Sequence, residues 1–175
     1  MSARHDPALF FQQQFDALKA QAADDTRPAL KRLVKSKLPT LLSQYRLKLP
    51  LDMYQERVMQ SGKLLFSVGE FEAALHHCFA PILAASEAGG LAAEGLRALR
   101  LRVQTDFGSV ACSFQLLMRR DACLQNAQST TTMRDLLRRL REGLGACVKH
   151  EQLYWLVLNG IRLAYALCTK LMRPE

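Results

Sequence analysis

Residues 58–78, VMQSGKLLFSVGEFEAALHHC, constrain the fold most, because they predict two short helices folded back on each other. Val68 and Gly69 separate the two, and a glycine just past a helix end supplies the left-handed residue that such a turn needs. On each side of the turn, apolar or small residues recur every three or four positions, which indicates one buried face per helix. These residues are Val58, Gly62, Leu65 and Phe66 before the turn, and Phe71, Ala74, Leu75 and Cys78 after it.

This pattern resembles a tetratricopeptide hairpin, in which small, aromatic and turn residues stand at fixed offsets. The matching positions are Gly62, Leu65, Gly69–Glu70–Phe71 and Ala74. The chain departs from the pattern at Ser61, where a large residue is usual, and at Pro81. The resemblance implies an all-α fold of antiparallel helix pairs, arranged as a fragment of a tetratricopeptide-like right-handed solenoid. The alternative is an ordinary helical hairpin without repeat ancestry.

The composition also favours an all-α protein. The chain has 175 residues, 49% of them hydrophobic, and its glycines and prolines fall between periodic segments. These features are typical of helices packed around a core. We expect an N-terminal helical arm over residues 1–50 and a helical-repeat domain over residues 51–175.

The net charge of +8 predicts an acidic partner. An acidic protein surface, tubulin or nucleic acid would each fit as that partner. The alternative is that the basic surface is only solvated and has no acidic partner. Aromatic residues make up only 7% of the chain and do not alternate with the basic runs. Nucleic acid is therefore the least favoured of these partners, because binding of single strands uses aromatic stacking.

The most basic predicted helix covers residues 27–38 and is expected to end at Pro39, with a short separate helix after it. Its basic residues surround one apolar stripe, a shape typical of calmodulin targets and of membrane-surface segments. Lys31, Arg32 and Lys35 are therefore candidate partner-binding residues. The alternative is a core helix whose basic face is only solvated.

The last predicted helix, from about residue 151 to 172, carries apolar residues around nearly its whole circumference. Such a helix is normally buried in a larger assembly. We expect one of Tyr154 and Trp155 to enter the chain's own core and the other to meet a partner. Asn159 and Gly160 would let a neighbour approach closely, so Tyr154, Trp155 and Asn159 are further candidate partner-binding residues.

No catalytic, cofactor-binding or metal-ligating motif is present in the sequence. His76 and His77 are adjacent on a helix and would point about 100° apart, which does not suit a shared metal. The five cysteines form no CxxC pair, and we expect them to be reduced thiols on apolar helical faces. The start of the chain lacks the apolar segment of a signal peptide, and no run is long enough to span a bilayer. The sequence predicts neither an enzyme nor a membrane protein.

The last helix also resembles a W-L-x-x-N-G-x-x-x-x-Y-x-x-C segment of the cilia- and flagella-associated protein 54 family. The matching residues are Trp155, Leu156, Asn159, Gly160, Tyr165 and Cys168, whereas Ile161 replaces the family's small polar residue. The resemblance implies a structural subunit of the axonemal central apparatus, located in the cytoplasmic axoneme of a cilium or flagellum. The partners it implies are other axonemal helical-repeat proteins within a large hetero-complex, with calmodulin and tubulin as further candidates. Two alternatives are a tetratricopeptide-like adaptor that binds a peptide or calmodulin, and a basic nucleic-acid-binding protein.

Overall fold

The predicted all-α fold is confirmed by a computed structural model that describes residues 6–23, 28–91 and 94–172, without the side chains of residues 28–31. The described residues form helices and no strand. In chain order the helices are α1 (Pro7–Ala23), α2 (Pro28–Tyr45), α3 (Leu51–Ser67), α4 (Phe71–Ala74), a π-helical turn (Leu75–Phe79), α5 (Ala80–Glu87), α6 (Gly95–Arg120), α7 (Ala127–Cys147), a 3-10 turn (Glu151–Leu153) and α8 (Tyr154–Met172).

The hairpin turn lies where the sequence predicts it. Helix α3 ends at Ser67, and Gly69 has a φ of +80°, in the left-handed region that a glycine adopts without strain. The Glu70 N–H donates to the Leu65 carbonyl over 3.0 Å, which closes the end of the helix. Arg119 of α6 donates to the Gly69 carbonyl over 3.0 Å and lies 4.4 Å above the Phe71 ring. The turn is therefore held against the end of α6.

The expected break at Pro39 is wrong, because α2 continues through it to Tyr45. Proline removes one backbone hydrogen bond and costs a helix interior about 3 kcal/mol. On both sides of Pro39 the same helical face is buried, including Val34, Leu38 and Leu41. Burial of that continuous face offsets the lost bond.

The buried residues form two clusters, and α6 contributes to both. The first cluster contains residues of every element from α1 through α5, together with part of α6, and includes Phe11, Leu65 and Phe79. The second joins α6, α7 and α8 and includes Phe107 and Leu140. Helices α1 and α2 share the first core with α3. The expected division of the chain at residue 50 stays a prediction. The tetratricopeptide-like character of the hairpin likewise stays a prediction.

The ring of Phe79, the last residue of the π-helical turn, lies against both α3 and α6. A Cβ atom on Gly62 of α3 would lie 2.5 Å from Cε1 of the ring, and one on Gly108 of α6 would lie 2.6 Å from Cζ. Carbon atoms do not pack so closely, so both positions need glycine. We call this contact of Phe79 with Gly62 and Gly108 the Phe79 junction.

The π-helical turn accounts for the position of this ring. A π-helical turn accommodates one extra residue, and it covers Leu75–Phe79. The ring is thereby directed between the two glycines.

A second junction of the same kind joins α6, α7 and α8. A Cβ atom on Gly143 of α7 would lie 2.7 Å from Cε1 of the Phe107 ring, and one on Gly160 of α8 would lie 2.7 Å from Cε2. We call this contact the Phe107 junction. Because Phe107 and Gly108 are neighbours in α6, one short segment takes part in both junctions.

We predict that Gly108→Ala lowers the free energy of unfolding by about 1–3 kcal/mol, because the added methyl group overpacks the Phe79 junction. Gly145→Ala is the matched control: a Cβ atom there meets no atom within 4 Å. Alanine should raise helix stability at that position by up to about 1 kcal/mol. Urea unfolding monitored by circular dichroism measures both. Equal effects of the two substitutions would contradict the close packing described here.

Candidate protein-interaction surface

One face of helix α8 packs against the rest of the chain. Its buried residues, together with Leu153 just before it, recur every three to seven positions and pack against α6 and α7: Leu153, Leu156, Gly160 and Leu167. At 100° per residue, these positions share one side of the helix. The opposite side therefore faces away from both helices.

That outward side is apolar. Tyr154, Leu158, Ile161, Tyr165 and Met172 are between 50% and 70% exposed, and we call these five residues the α8 stripe. They follow one another after four, three, four and seven positions. An apolar repeat that averages 3.5 residues is the seam along which two helices pack. An exposed apolar patch of this kind is a candidate interaction site.

Sequence reasoning alone identified only Tyr154 from this stripe. The helix is apolar on nearly every side, so its periodicity does not separate the buried face from the exposed one. The spacing of Tyr154, Leu158, Ile161 and Tyr165 places them on one face, but the buried residues recur at the same spacing. The sequence therefore groups each set without showing which of the two faces outward.

The expectation that either Tyr154 or Trp155 fills the chain's own core is wrong, since both are exposed, by 50% and 43%. The neighbouring positions Leu153 and Leu156 take the core instead. A helix rotates about 100° per residue, which leaves Trp155 on the flank between the buried and the outward face. There it lines a groove with Leu96 and Arg97 of α6.

Asn159 and Gly160 have different surroundings. Asn159 is exposed. Gly160 permits the close approach that the sequence predicts, but the neighbours are Phe107 and Leu144 of the same chain. Of the two residues, only Asn159 is accessible to a partner.

Ion pairs fix the groove that Trp155 lines. Arg97 of α6 contacts two acids of α3: its Nε lies 2.9 Å from Glu56 Oε1, and its Nη1 lies 3.0 Å from Asp52 Oδ2. Arg100 Nη2 lies 3.0 Å from the same Glu56 oxygen. The hydrogen bond from Arg97, with both positive charges, lowers the pKa of Glu56. The network joins α3 to the start of α6.

The candidate residues on α2 differ in availability. Arg32 is exposed, whereas Lys35 Nζ lies 2.7 Å from Glu70 Oε2 in the hairpin turn. The side chain of Lys31, and Arg27 as a whole, lie outside the described residues. The apolar side of this helix is inaccessible, because Val34 and Leu38 are completely buried. Of the described basic residues on α2, Arg32 and Lys37 are exposed, and Lys35 is exposed while it contacts Glu70.

Two buried cysteines, Cys78 and Cys112, offer little reactivity. All five are free, and burial raises the pKa of Cys78 and of Cys112 to about 12. Both are therefore neutral thiols at physiological pH. The expectation that all five lie on apolar helical faces is wrong for Cys123, which is exposed in the connection between α6 and α7.

Across residues 6–23, 28–91 and 94–172, no three histidine, cysteine or acidic side chains stand close enough to bind a metal ion together. Within the same ranges, no helix combines the length and apolar character needed to cross a membrane.

Comparison with known proteins points to one family. A family model described as cilia- and flagella-associated protein 54 matches residues 90–174, which include α6, α7 and α8. The protein of that name from Chlamydomonas reinhardtii is 28% identical over 130 residues, or 72% of this chain. Those from Mus musculus and Homo sapiens are 26% and 23% identical, over 74% and 85% of the chain. The chain spans only 4–5% of the length of these relatives.

The fold and the α8 stripe define an all-α protein with an exposed apolar helix face. Within that class, the resemblance to the cilia- and flagella-associated protein 54 family is confirmed by the family model and by the three relatives. The matched region contains the Phe107 junction and the α8 stripe.

We predict that Glu56→Gln lowers the free energy of unfolding at pH 7 by up to about 1 kcal/mol, since it removes the negative charge between Arg97 and Arg100. The folded-state pKa of Glu56 is lowered. Its contribution is therefore complete above the pKa of the unfolded state and is lost as the pH falls through the folded-state pKa. The difference between variant and parent should disappear in acid.

Urea unfolding at several pH values measures this difference. Glu142→Gln, which changes an exposed glutamate of α7, is the control and should have little effect at any pH. A Glu56→Gln effect that stays constant into acid would show that the ion pairs do not cause it.

Proposed function

We propose that this chain is a structural subunit of the axoneme in a cilium or flagellum, and that it belongs to the central apparatus. The observation that carries the proposal is the α8 stripe, which lies in the part of the chain that matches the family. The relatives are named for association with cilia and flagella. An apolar helix face in that region suits assembly with other helical proteins.

The rigid packing supports a structural role. Two phenylalanine rings lie against pairs of glycines, so that α3, α6, α7 and α8 have little room to slide. A body of this kind keeps an outward helix face in a fixed orientation. The function we propose is non-enzymatic: the chain supplies a surface and holds it in place.

An adaptor that binds calmodulin through α2 is less well supported. Calmodulin takes the apolar face of a target helix, and that face of α2 is buried in the first core. Calmodulin would have to release α2 from the fold. Binding to tubulin would not require α2 to leave the fold, because tubulin would contact only exposed basic residues. Arg32 is one of these residues.

Expression of the tagged full chain in ciliated cells tests the proposal. We expect the tag in the cilium and, after detergent extraction, still bound to the axoneme. Ile161→Asp should abolish retention, because a carboxylate in the α8 stripe would be buried without a partner on assembly. Leu47→Asp is the matched control, since Leu47 is 96% exposed and lies outside the family-matched region.

Thermal unfolding of both variants would show that folding is preserved. A tagged chain that is absent from the cilium, or that detergent extracts completely, would contradict the proposed function.

A further inference from the structure

The outward faces of α7 and α8 form one continuous surface. Gly143 and Arg139 of α7 face α6, where they meet Phe107 and Asp106. Leu144 faces α8, where it contacts Gly160. The residues of α7 that lie next to Leu144, on the side of the helix away from α6, therefore border the α8 stripe.

The residues at that border are basic. On a helical wheel, Arg141 and Arg134 lie about 60° and 80° beyond Leu144, on the side away from α6. Both are exposed. The acids of α7, Asp135 and Glu142, lie about 160–180° from Leu144 and so point away from α8.

The other border of the stripe is basic as well. Arg162 of α8 is exposed and lies about 40° beyond Leu158 on the helical wheel. Helix α8 contains no acidic residue over Tyr154–Met172, and Glu151 lies just before its first turn. The stripe is therefore an apolar seam with Arg134 and Arg141 along one border and Arg162 along the other, where Glu151 lies at the N-terminal end.

These borders argue against a second copy as the occupant. Two α8 helices packed along their stripes would bring Arg162 and Arg141 of one chain towards the same residues of the other, and like charges placed together are destabilising. A chain with a net charge of +8 adds repulsion at longer range.

The width of the stripe argues against a membrane surface. Tyr154, Leu158, Ile161 and Tyr165 lie within about 60° of the helical wheel. A helix that inserts into a lipid surface needs a broad apolar face that can enter the layer of headgroups and acyl chains. A narrow seam with 3.5-residue spacing suits one partner helix.

We infer that the α8 stripe binds an amphipathic helix of a separate polypeptide, with an apolar seam bordered by glutamate or aspartate residues. The inference rests on the proposed structural function and adds the chemistry of the partner. A helix of about 18 residues, or roughly 27 Å, would cover the stripe from Tyr154 to Met172. Its acids would lie opposite Arg134 and Arg141 on one side and Arg162 on the other.

Two synthetic 21-residue peptides test this inference with the full chain in solution. Both carry leucine at the seam positions of a heptad repeat, and the border positions are glutamate in one peptide and lysine in the other. We expect fluorescence anisotropy to show at least about tenfold tighter binding of the glutamate peptide. Arg141→Glu should remove most of this preference, and Ile161→Asp should abolish binding of both peptides.

Leu47→Asp, which changes an exposed leucine outside the stripe, should bind like the parent chain. Equal affinity for the two peptides, or unchanged binding by Ile161→Asp, would overturn the inference. So would an Ile161-dependent dimer in sedimentation, or Ile161-dependent binding to phosphatidylserine vesicles without peptide preference. Each result is independent of cellular location, so the partner chemistry can fail while the axonemal function stands.

Discussion

The structure depends on two phenylalanine rings, each held between a pair of glycines on neighbouring helices. Phe79 lies against Gly62 and Gly108, and Phe107 lies against Gly143 and Gly160. A ring that fills such a space brings many carbon atoms into contact at once, and these small attractions add up. Because a methyl group at any of the four glycines would come within 3 Å of a ring, the helices have few other ways to pack.

Helix α6 connects the two parts of the molecule through these junctions. Gly108 receives Phe79 from the first core, and the adjacent Phe107 extends into the second. Polar contacts act at both ends of the same helix: Arg97 binds acids of α3 near its start, and Arg119 holds the hairpin turn near its end. The second core in turn fixes the rotation of α8, and this rotation determines which of its apolar residues face outward.

Much of the fold could be predicted from local patterns. The turn at Gly69 followed from a glycine between two periodic segments, because that signal lies within a few residues. The continuation of α2 through Pro39 could not be predicted, since it depends on burial of a face against α1 and α3. The junctions were also out of reach, because Phe107 is far in sequence from Gly143 and Gly160, and only packing brings them together.

The candidate surface was predictable in outline alone. An apolar last helix indicated that something covers it, and Tyr154 was among the residues proposed to bind a partner. One of Tyr154 and Trp155 was expected to enter the core, but Leu153 and Leu156 are the residues buried there. The basic borders could not be predicted, because they depend on which side of α7 faces α8. The contact of Leu144 with Gly160 defines that side, and it is visible only in the folded structure.

Hydrogen–deuterium exchange of Phe107→Leu, compared with the parent chain, tests most directly whether the Phe107 ring holds three helices together. The account predicts faster exchange of backbone amides in α6, α7 and α8 together, because the smaller side chain leaves a gap at the point where all three meet. Exchange in α1 should stay unchanged, since that helix belongs to the first core. An increase confined to the few residues around position 107 would contradict the account.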